Sequence, residues 1–333
     1  MDVDPFVAAH RGEWARLELL ARRRRLSGAE ADELVALYQR TATHLSLVQS
    51  SGADAALVSR LSGLVAEGRA AVTGTSGASW ATVSRFVTVA FPVAVWRARW
   101  WWIWIAIGTV VVATTIGVWI AMNPDVRNAI ATPEEIQKLV NQDFADYYTD
   151  SAAGSFAFKV WTNNAWVAAQ ALVLGAALCV GGVYILWQNA LNVGIVGGLM
   201  AAGGRLDLFF GLITPHGLLE LTAVFIAGGA GIRLGWQFIA PGPRPRSVAL
   251  AEEGRTTLTI ALGLVVVLLV SGVVEAFVTP SGWPTWVRIG IGVAVWLAFL
   301  TYVVVFGRRA ARAGDIGDLV DDADRTDVLP YAG

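Results

Sequence analysis

Apolar residues along this chain change rhythm near residue 100: before it they recur at helical spacing with polar residues between, and after it they run nearly unbroken. Residues 1–75 read as a soluble helical domain. Phe6, Trp14, Leu17 and Leu20 mark a first helix, Leu34, Leu37, Tyr38 and Leu45 a second, and Leu57, Leu61, Leu64 and Val65 a third; each set lies on one helical face. Ser27 followed by Glu30 predicts an N-cap with a capping box. Residues 74–79, GTSGAS, form a flexible break. Residues 76–100 mix Arg with aromatic side chains around Pro92 and read as an interfacial helix leading into the bilayer, with an irregular linker as the alternative.

Beyond residue 100, stretches long enough for a hydrocarbon core of about 30 Å predict spans at about 101–121, 161–187, 189–213, 216–239, 257–278 and 286–306. These make up a transmembrane domain over 101–307. Between the first two spans lies an acidic segment, 123–159, in which Thr132, Pro133 and Glu135 predict a capped short helix. A tail over 308–333 turns from basic to acidic and is expected to be disordered. The fold class is therefore all-α, a polytopic membrane protein of about six transmembrane helices with an N-terminal cytoplasmic helical domain.

Composition agrees: 55% of the 333 residues are hydrophobic and 15 are Trp, more apolar than soluble chains and rich in the aromatic rings that favour membrane interfaces. A net charge of −1 gives no reason to expect nucleic acid. The single Cys179 excludes an intramolecular disulfide framework, and the basic first thirty residues hold no apolar core of a cleavable signal peptide. Arginines set the orientation. Arg85, Arg97 and Arg99, then Arg244, Arg246 and Arg255, then Arg308, Arg309 and Arg312 all fall on one side of six spans. That side is expected to be the cytoplasm of a plasma membrane, with both termini there and 123–159 outside. A re-entrant third segment would split these groups.

The chemistry of interest is TPHGLLELTA, Thr214–Ala223, where His216 and Glu220 share a helix face inside an apolar region. With Pro215 ending one helix and starting the next, both lie in the first turns of the fourth span. Glu275 near the end of the fifth span, Asp207 and Arg205 in the third, and Asn163 and Asn164 at the start of the second reach the same outer depth. Charged groups in hydrocarbon cost about 2.5–3.5 kcal/mol each on insertion scales, so these residues form either a polar pocket or a helix-locking ion pair of Arg205 or His216 with a carboxylate; an ordinary interfacial position is the third possibility. Gln188, Asn189 and Asn192 are expected at the cytoplasmic turn between spans two and three. Arg233 is expected to snorkel near the cytoplasmic end of span four. GGAGIRLG, with Gly228, Gly229, Gly231 and Gly235, suits close helix packing better than phosphate binding. HExxH, G-x-S-x-G, Walker A and Cys/His zinc spacings do not occur. A metal held by His216, Asp207, Glu220 and Glu275 is geometrically conceivable, but no cofactor, metal or catalytic residue is expected.

Residues 209–235, FFGLITPHGLLELTAVFIAGGAGIRLG, with VVEAFVTP at 273–280, resemble the stage II sporulation protein M family of bacterial membrane proteins. The resemblance rests on Pro215, His216, Gly217, Glu220 and Glu275, and Trp14 and LYQR (Leu37–Arg40) fit its soluble start. It implies a non-enzymatic scaffold that organises cell-envelope remodelling enzymes, with neighbours of the MoxR-type AAA+ ATPase kind in bacteria that make no endospores. The long soluble start and Arg-rich composition suggest such an actinobacterial-type member. The expected partners are thus the lipid bilayer, a cytoplasmic protein held by residues 1–75, cell-wall enzymes outside, and a second copy of the chain. The rival is a transporter or channel-like protein using the outer polar residues, to which Pro215, Gly203 and Gly204 lend helix interruptions.

Overall fold

The computed structural model describes residues 3–23, 26–50, 55–72, 80–147, 153–177 and 179–318. Among them the chain is helical with no strand, an all-α polytopic membrane protein. It divides into two compact units, Met1–Val83 and Ser84–Gly333.

The first unit holds α1 (Val3–Ala21), α2 (Gly28–Ser50) and α3 (Ala55–Val72). Their apolar stripes meet in a core of Trp14, Leu17, Leu20, Leu34, Leu37, Val48, Leu61 and Leu64. Before α2, Ser27 N–H donates to Glu30 Oε2 at 2.9 Å and Glu30 N–H donates to Ser27 Oγ at 3.3 Å. This reciprocal pair satisfies two amides that the helix itself leaves free. Charged pairs rim the bundle, Arg16 with Glu33 at 2.7 Å and Arg40 with Glu13 at 2.8 Å among them.

α4 (Trp80–Arg85) leads through a π-helical turn, Phe86–Ala90, to α5 (Phe91–Arg97). The expected interfacial position is not what α5 adopts. Phe91, Val93, Ala94 and Val95 are at most 4% exposed and pack in the same core as Ala223, Ile226, Ile260, Leu264 and Val303. Small residues on the neighbouring helices make the room. A Cβ at Gly263 would overlap the Phe91 ring, and one at Gly307 would lie 2.5 Å from the Pro92 carbonyl oxygen.

α6 (Arg99–Met122) is followed by α7 (Pro124–Ile130), α8 (Pro133–Lys138), a π-helical turn (Leu139–Asp143) and α9 (Phe144–Asp146). α8 opens on a capping box of Thr132 and Glu135, with Pro133 inside its first turn. Then come α10 (Ala153–Ala176), α11 (Val180–Ala202), α12 (Leu206–Ile239), α13 (Arg246–Phe277) and α14 (Thr285–Arg312). Among the described residues, α6, α11, α12, α13 and α14 are the five helices long and apolar enough to cross a membrane. α10 has the same 24-residue length as α6 but carries Lys159, Asn163, Asn164 and Gln170. It lies along α12: a Cβ at Gly231 would come within 2.3 Å of Leu172 O, and one at Gly235 within 2.4 Å of Gly175 O.

The expected helix breaks are displaced. α10 ends at Ala176 and α11 begins at Val180, so this break does not fall near Gln188. Cys179 takes a left-handed φ of 71°, and the turn is tight because a Cβ at Gly182 would sit 2.7 Å from Gly175 Cα. Gln188, Asn189 and Asn192 therefore lie within α11, where Asn189 Nδ2 donates to Ile185 O at 2.9 Å and Asn192 is exposed. The next break is at 203–205, where Gly204 has φ 69°, and not at Pro215. α12 runs through that proline. A proline inside a helix loses one hydrogen bond and crowds the carbonyl one turn earlier, which here belongs to Gly211. The Pro215 backbone is backed by α14, where a Cβ at Gly292 would lie 2.2 Å from Pro215 O. α14 also continues past the expected span end to Arg312. After it, Asp318 folds back onto Arg255 Nε at 2.6 Å and accepts at its carbonyl from Arg85 at 3.4 Å. The expected disorder of 319–333 and the flexible break at 74–79 lie outside the described residues.

A buried histidine and two glutamates between two membrane helices

α12 and α13 run side by side, and an i, i+4 pair on each faces the other. From α12 come His216 and Glu220; from α13 come Ser271 and Glu275. Because α12 begins at Leu206, His216 stands roughly 15 Å down the helix at 1.5 Å per residue. Neither it nor Glu220 gains from a helix N-terminus, in contrast to the placement the sequence suggested.

His216 and Glu275 are 6% and 4% exposed; Glu220 is partly buried. One ligating atom from each of the three lies within 4.8 Å of the others. His216 Nε2 is 3.7 Å from Glu275 Oε1, too far for a hydrogen bond. On the other side of the ring, Nδ1 is 3.2 Å from Thr279 Oγ1, itself fully buried. Ser271 Oγ donates to His216 O at 3.1 Å and fastens α13 to α12 at this level. Arg288 Nη1 donates to Thr279 O at 2.6 Å. Glu275 Oε2 is buried without a hydrogen-bond partner. Among the described residues, no lysine or arginine pairs with Glu220 or Glu275. Tyr147, after α9, stands close enough for both carboxylates to act on it. Desolvation first, and then Glu275 and Glu220, push its phenol above the usual range.

Of the outer polar residues named from sequence, the structure brings together His216, Glu220 and Glu275. Asp207 is exposed in the first turn of α12, nine residues and roughly 14 Å before His216. Arg205 instead donates to Asn141 Oδ1 at 3.4 Å. Asn163 lies on an exposed face of α10, and its Nδ2 donates to Asn164 Oδ1 at 3.3 Å. Gly217 packs against Ile213 of its own helix, Gly228 against Leu186 of α11, and Gly229 against the Trp102 backbone of α6.

A second polar contact joins the same two helices near their other ends, and sequence reading missed it. Arg233 does not snorkel: its Nη2 meets Glu253 Oε2 at 2.9 Å, with both side chains largely buried. The two residues lie twenty positions apart across the α12–α13 turn, so no local spacing signals the pair. Thr279 and Ser271 also went unnoticed, since hydroxyls in a membrane span carry little signal alone.

A sequence model described as stage II sporulation protein M matches residues 106–280. The chain belongs to this family. The matched stretch contains Pro215, His216, Glu220 and Glu275, as well as both Arg233 and Glu253. An uncharacterized protein of Methanocaldococcus jannaschii is 24% identical over 149 residues, which cover 44% of this chain and 82% of its own length. A model described as a domain of unknown function matches residues 4–74, which hold α1 to α3. No solved structure matches the chain.

A second group of possible ligands, His10, Glu13 and His44, lies in the first unit. Trp14 Nε1–H donates to His44 Nδ1 at 3.2 Å. That bond places the ring proton on Nε2 and leaves neither nitrogen free for a metal. The His10 and His44 rings pack against one another with centroids 4.1 Å apart and planes tilted by 39°.

Proposed function

We propose that this chain is a multi-pass scaffold of a bacterial plasma membrane, with both termini in the cytoplasm, that assembles partners and performs no chemistry itself. The observation that carries this reading is the first unit, three helices closed around their own core. Such a module can hold a soluble partner without drawing on the membrane helices. Membership of the stage II sporulation protein M family supports a role beside cell-envelope remodelling enzymes. The partner of residues 1–75 would be a cytoplasmic protein, a MoxR-type AAA+ ATPase system being the first candidate. The acidic 123–159 segment would face the envelope.

Removing residues 1–75 should abolish partner recovery from detergent extracts while the membrane unit stays monodisperse; undiminished recovery overturns the scaffold. Orientation is tested with single cysteines in a Cys179→Ala background. A membrane-impermeant reagent should label Asn128→Cys in intact cells and leave Ser247→Cys untouched. The reverse pattern inverts the topology.

The buried histidine and glutamates favour a second reading, a transporter or channel-like protein. Flux into proteoliposomes that disappears in Glu220→Gln would favour it. Partner recovery insensitive to Glu220→Gln would favour the scaffold.

A further inference from the structure

We propose that His216, Glu220 and Glu275 hold one divalent transition-metal cation, of the zinc or manganese kind, inside the membrane domain. The inference stands whether the chain acts as a scaffold or as a transporter.

The first argument is geometric. The His216 Nε2 to Glu275 Oε1 distance of 3.7 Å is too long for a hydrogen bond. It is near the separation of two ligands on one tetrahedral cation, about 3.3–3.6 Å for bonds of 2.0–2.2 Å. The third ligating atom lies within 4.8 Å, and a carboxylate turning about its terminal bond moves its oxygens by enough to close that difference.

The second argument concerns the ring. If Nδ1–H donates to Thr279 Oγ1, 3.2 Å away, the Nε2 lone pair points towards Glu275. Metal-bound histidines are oriented in this way by a partner on the far nitrogen. With that tautomer, a lone pair faces a carboxylate, an arrangement that a cation or a proton between them would satisfy.

The third argument is electrical. Glu275 Oε2 has no hydrogen-bond partner although the residue is 4% exposed, and no basic side chain pairs with either glutamate among the described residues. Two carboxylates and a neutral imidazole carry charge −2, which one divalent ion cancels without bringing a counter-charge into the apolar surroundings. One nitrogen and two carboxylates suit a borderline ion. Thiolates and thioethers, which select copper(I), are missing from the three ligands, and the imidazole disfavours magnesium and calcium, which take all-oxygen shells.

The test uses the full chain in detergent, stripped with EDTA, then dialysed against zinc chloride or manganese chloride, with bound metal counted by atomic emission. The parent should retain one equivalent more than Glu275→Gln and than Glu220→Gln. Asp207→Asn, whose side chain lies apart from the cluster, should match the parent. The cation should raise the melting midpoint of the parent by about 3 °C or more and leave Glu275→Gln unmoved. Glu220→Gln serves if Glu275→Gln does not fold. Equal binding by parent and both variants overturns the site. So does a monodisperse parent that retains neither ion, in which case protons neutralise the cluster. Stoichiometric displacement by magnesium or calcium overturns the assigned class of ion.

Discussion

Two polar contacts tie α12 to α13, and they are built on opposite plans. Arg233 and Glu253 meet at 2.9 Å and cancel one another. His216, Glu220 and Glu275 lie roughly 25 Å along α12 at the rise of an α-helix, and among the described residues no arginine or lysine pairs with either glutamate. The first site balances its charge within the chain, although Arg233 Nη1 and Glu253 Oε1 are buried without hydrogen-bond partners. The second is completed by something from outside, a cation or protons. Burial alone does not separate a structural charge from a functional one; the balance of charge does.

The largest effect should come from breaking the balanced site. Arg233→Leu leaves Glu253 buried and unpaired and should cost about 3–5 kcal/mol, read as a fall in the melting midpoint in detergent. Arg233→Leu with Glu253→Leu should recover most of that loss. A single variant that melts like the parent removes the lock from the comparison. Next is the backing of the other site. Gly292→Ala drives a methyl group against the Pro215 carbonyl, 2.2 Å away, and backbone cannot rotate aside; about 1–3 kcal/mol should be lost. An unaltered midpoint would mean that α14 does not seat on Pro215.

His44 offers a contrast outside the membrane. Burial first, and then neighbouring His10, hold its imidazole below the ordinary value near 6.5. The folded state therefore favours neutral His44. Its contribution is fully present above pH 6.5 and is lost as pH falls below that, where the unfolded chain takes up a proton that the folded chain refuses. The slope cannot exceed about 1.4 kcal/mol per pH unit. The protection of α1 and α2 amides in the full chain, corrected for the intrinsic exchange rate, should fall between pH 6.5 and 5.5, and His44→Gln should flatten that response. The smallest effect sharpens the comparison most. In metal-free buffer, Glu275→Gln should melt within about 1 kcal/mol of the parent, since it removes an acceptor that nothing satisfies. A loss as large as that of Arg233→Leu would make the two sites alike.

Much of this was legible in the sequence, but unevenly. The helical stripes through Trp14, Leu37 and Leu61 located the first core, and Ser27 with Glu30 marked the start of α2. The i, i+4 spacing of His216 and Glu220 put them on one face, and the depth of Glu275 brought it alongside. What hydropathy could not give was where long apolar stretches turn. Gly181 and Gly182 serve a tight turn, whereas Gly231 and Gly292 serve close packing, and composition does not separate the two uses. Pro215 looked like a boundary because the fit of Gly292 against it is a contact between distant residues. α5 looked interfacial because its arginine and tryptophan neighbours mask how small residues on α13 and α14 admit Phe91 and Pro92.

The self-contained core of the first unit also bears on the order of events during synthesis. Residue 72 leaves the ribosome fifty residues ahead of the end of α6, roughly 2–10 s earlier at bacterial elongation rates. A small helical bundle with mostly local contacts folds in microseconds to milliseconds. The bundle is therefore finished before the first long apolar helix is available for insertion. A folded bundle does not thread through a translocation channel, so on the proposed topology it would hold the N-terminus on the side where it was made, and each later helix would inherit its direction from that constraint.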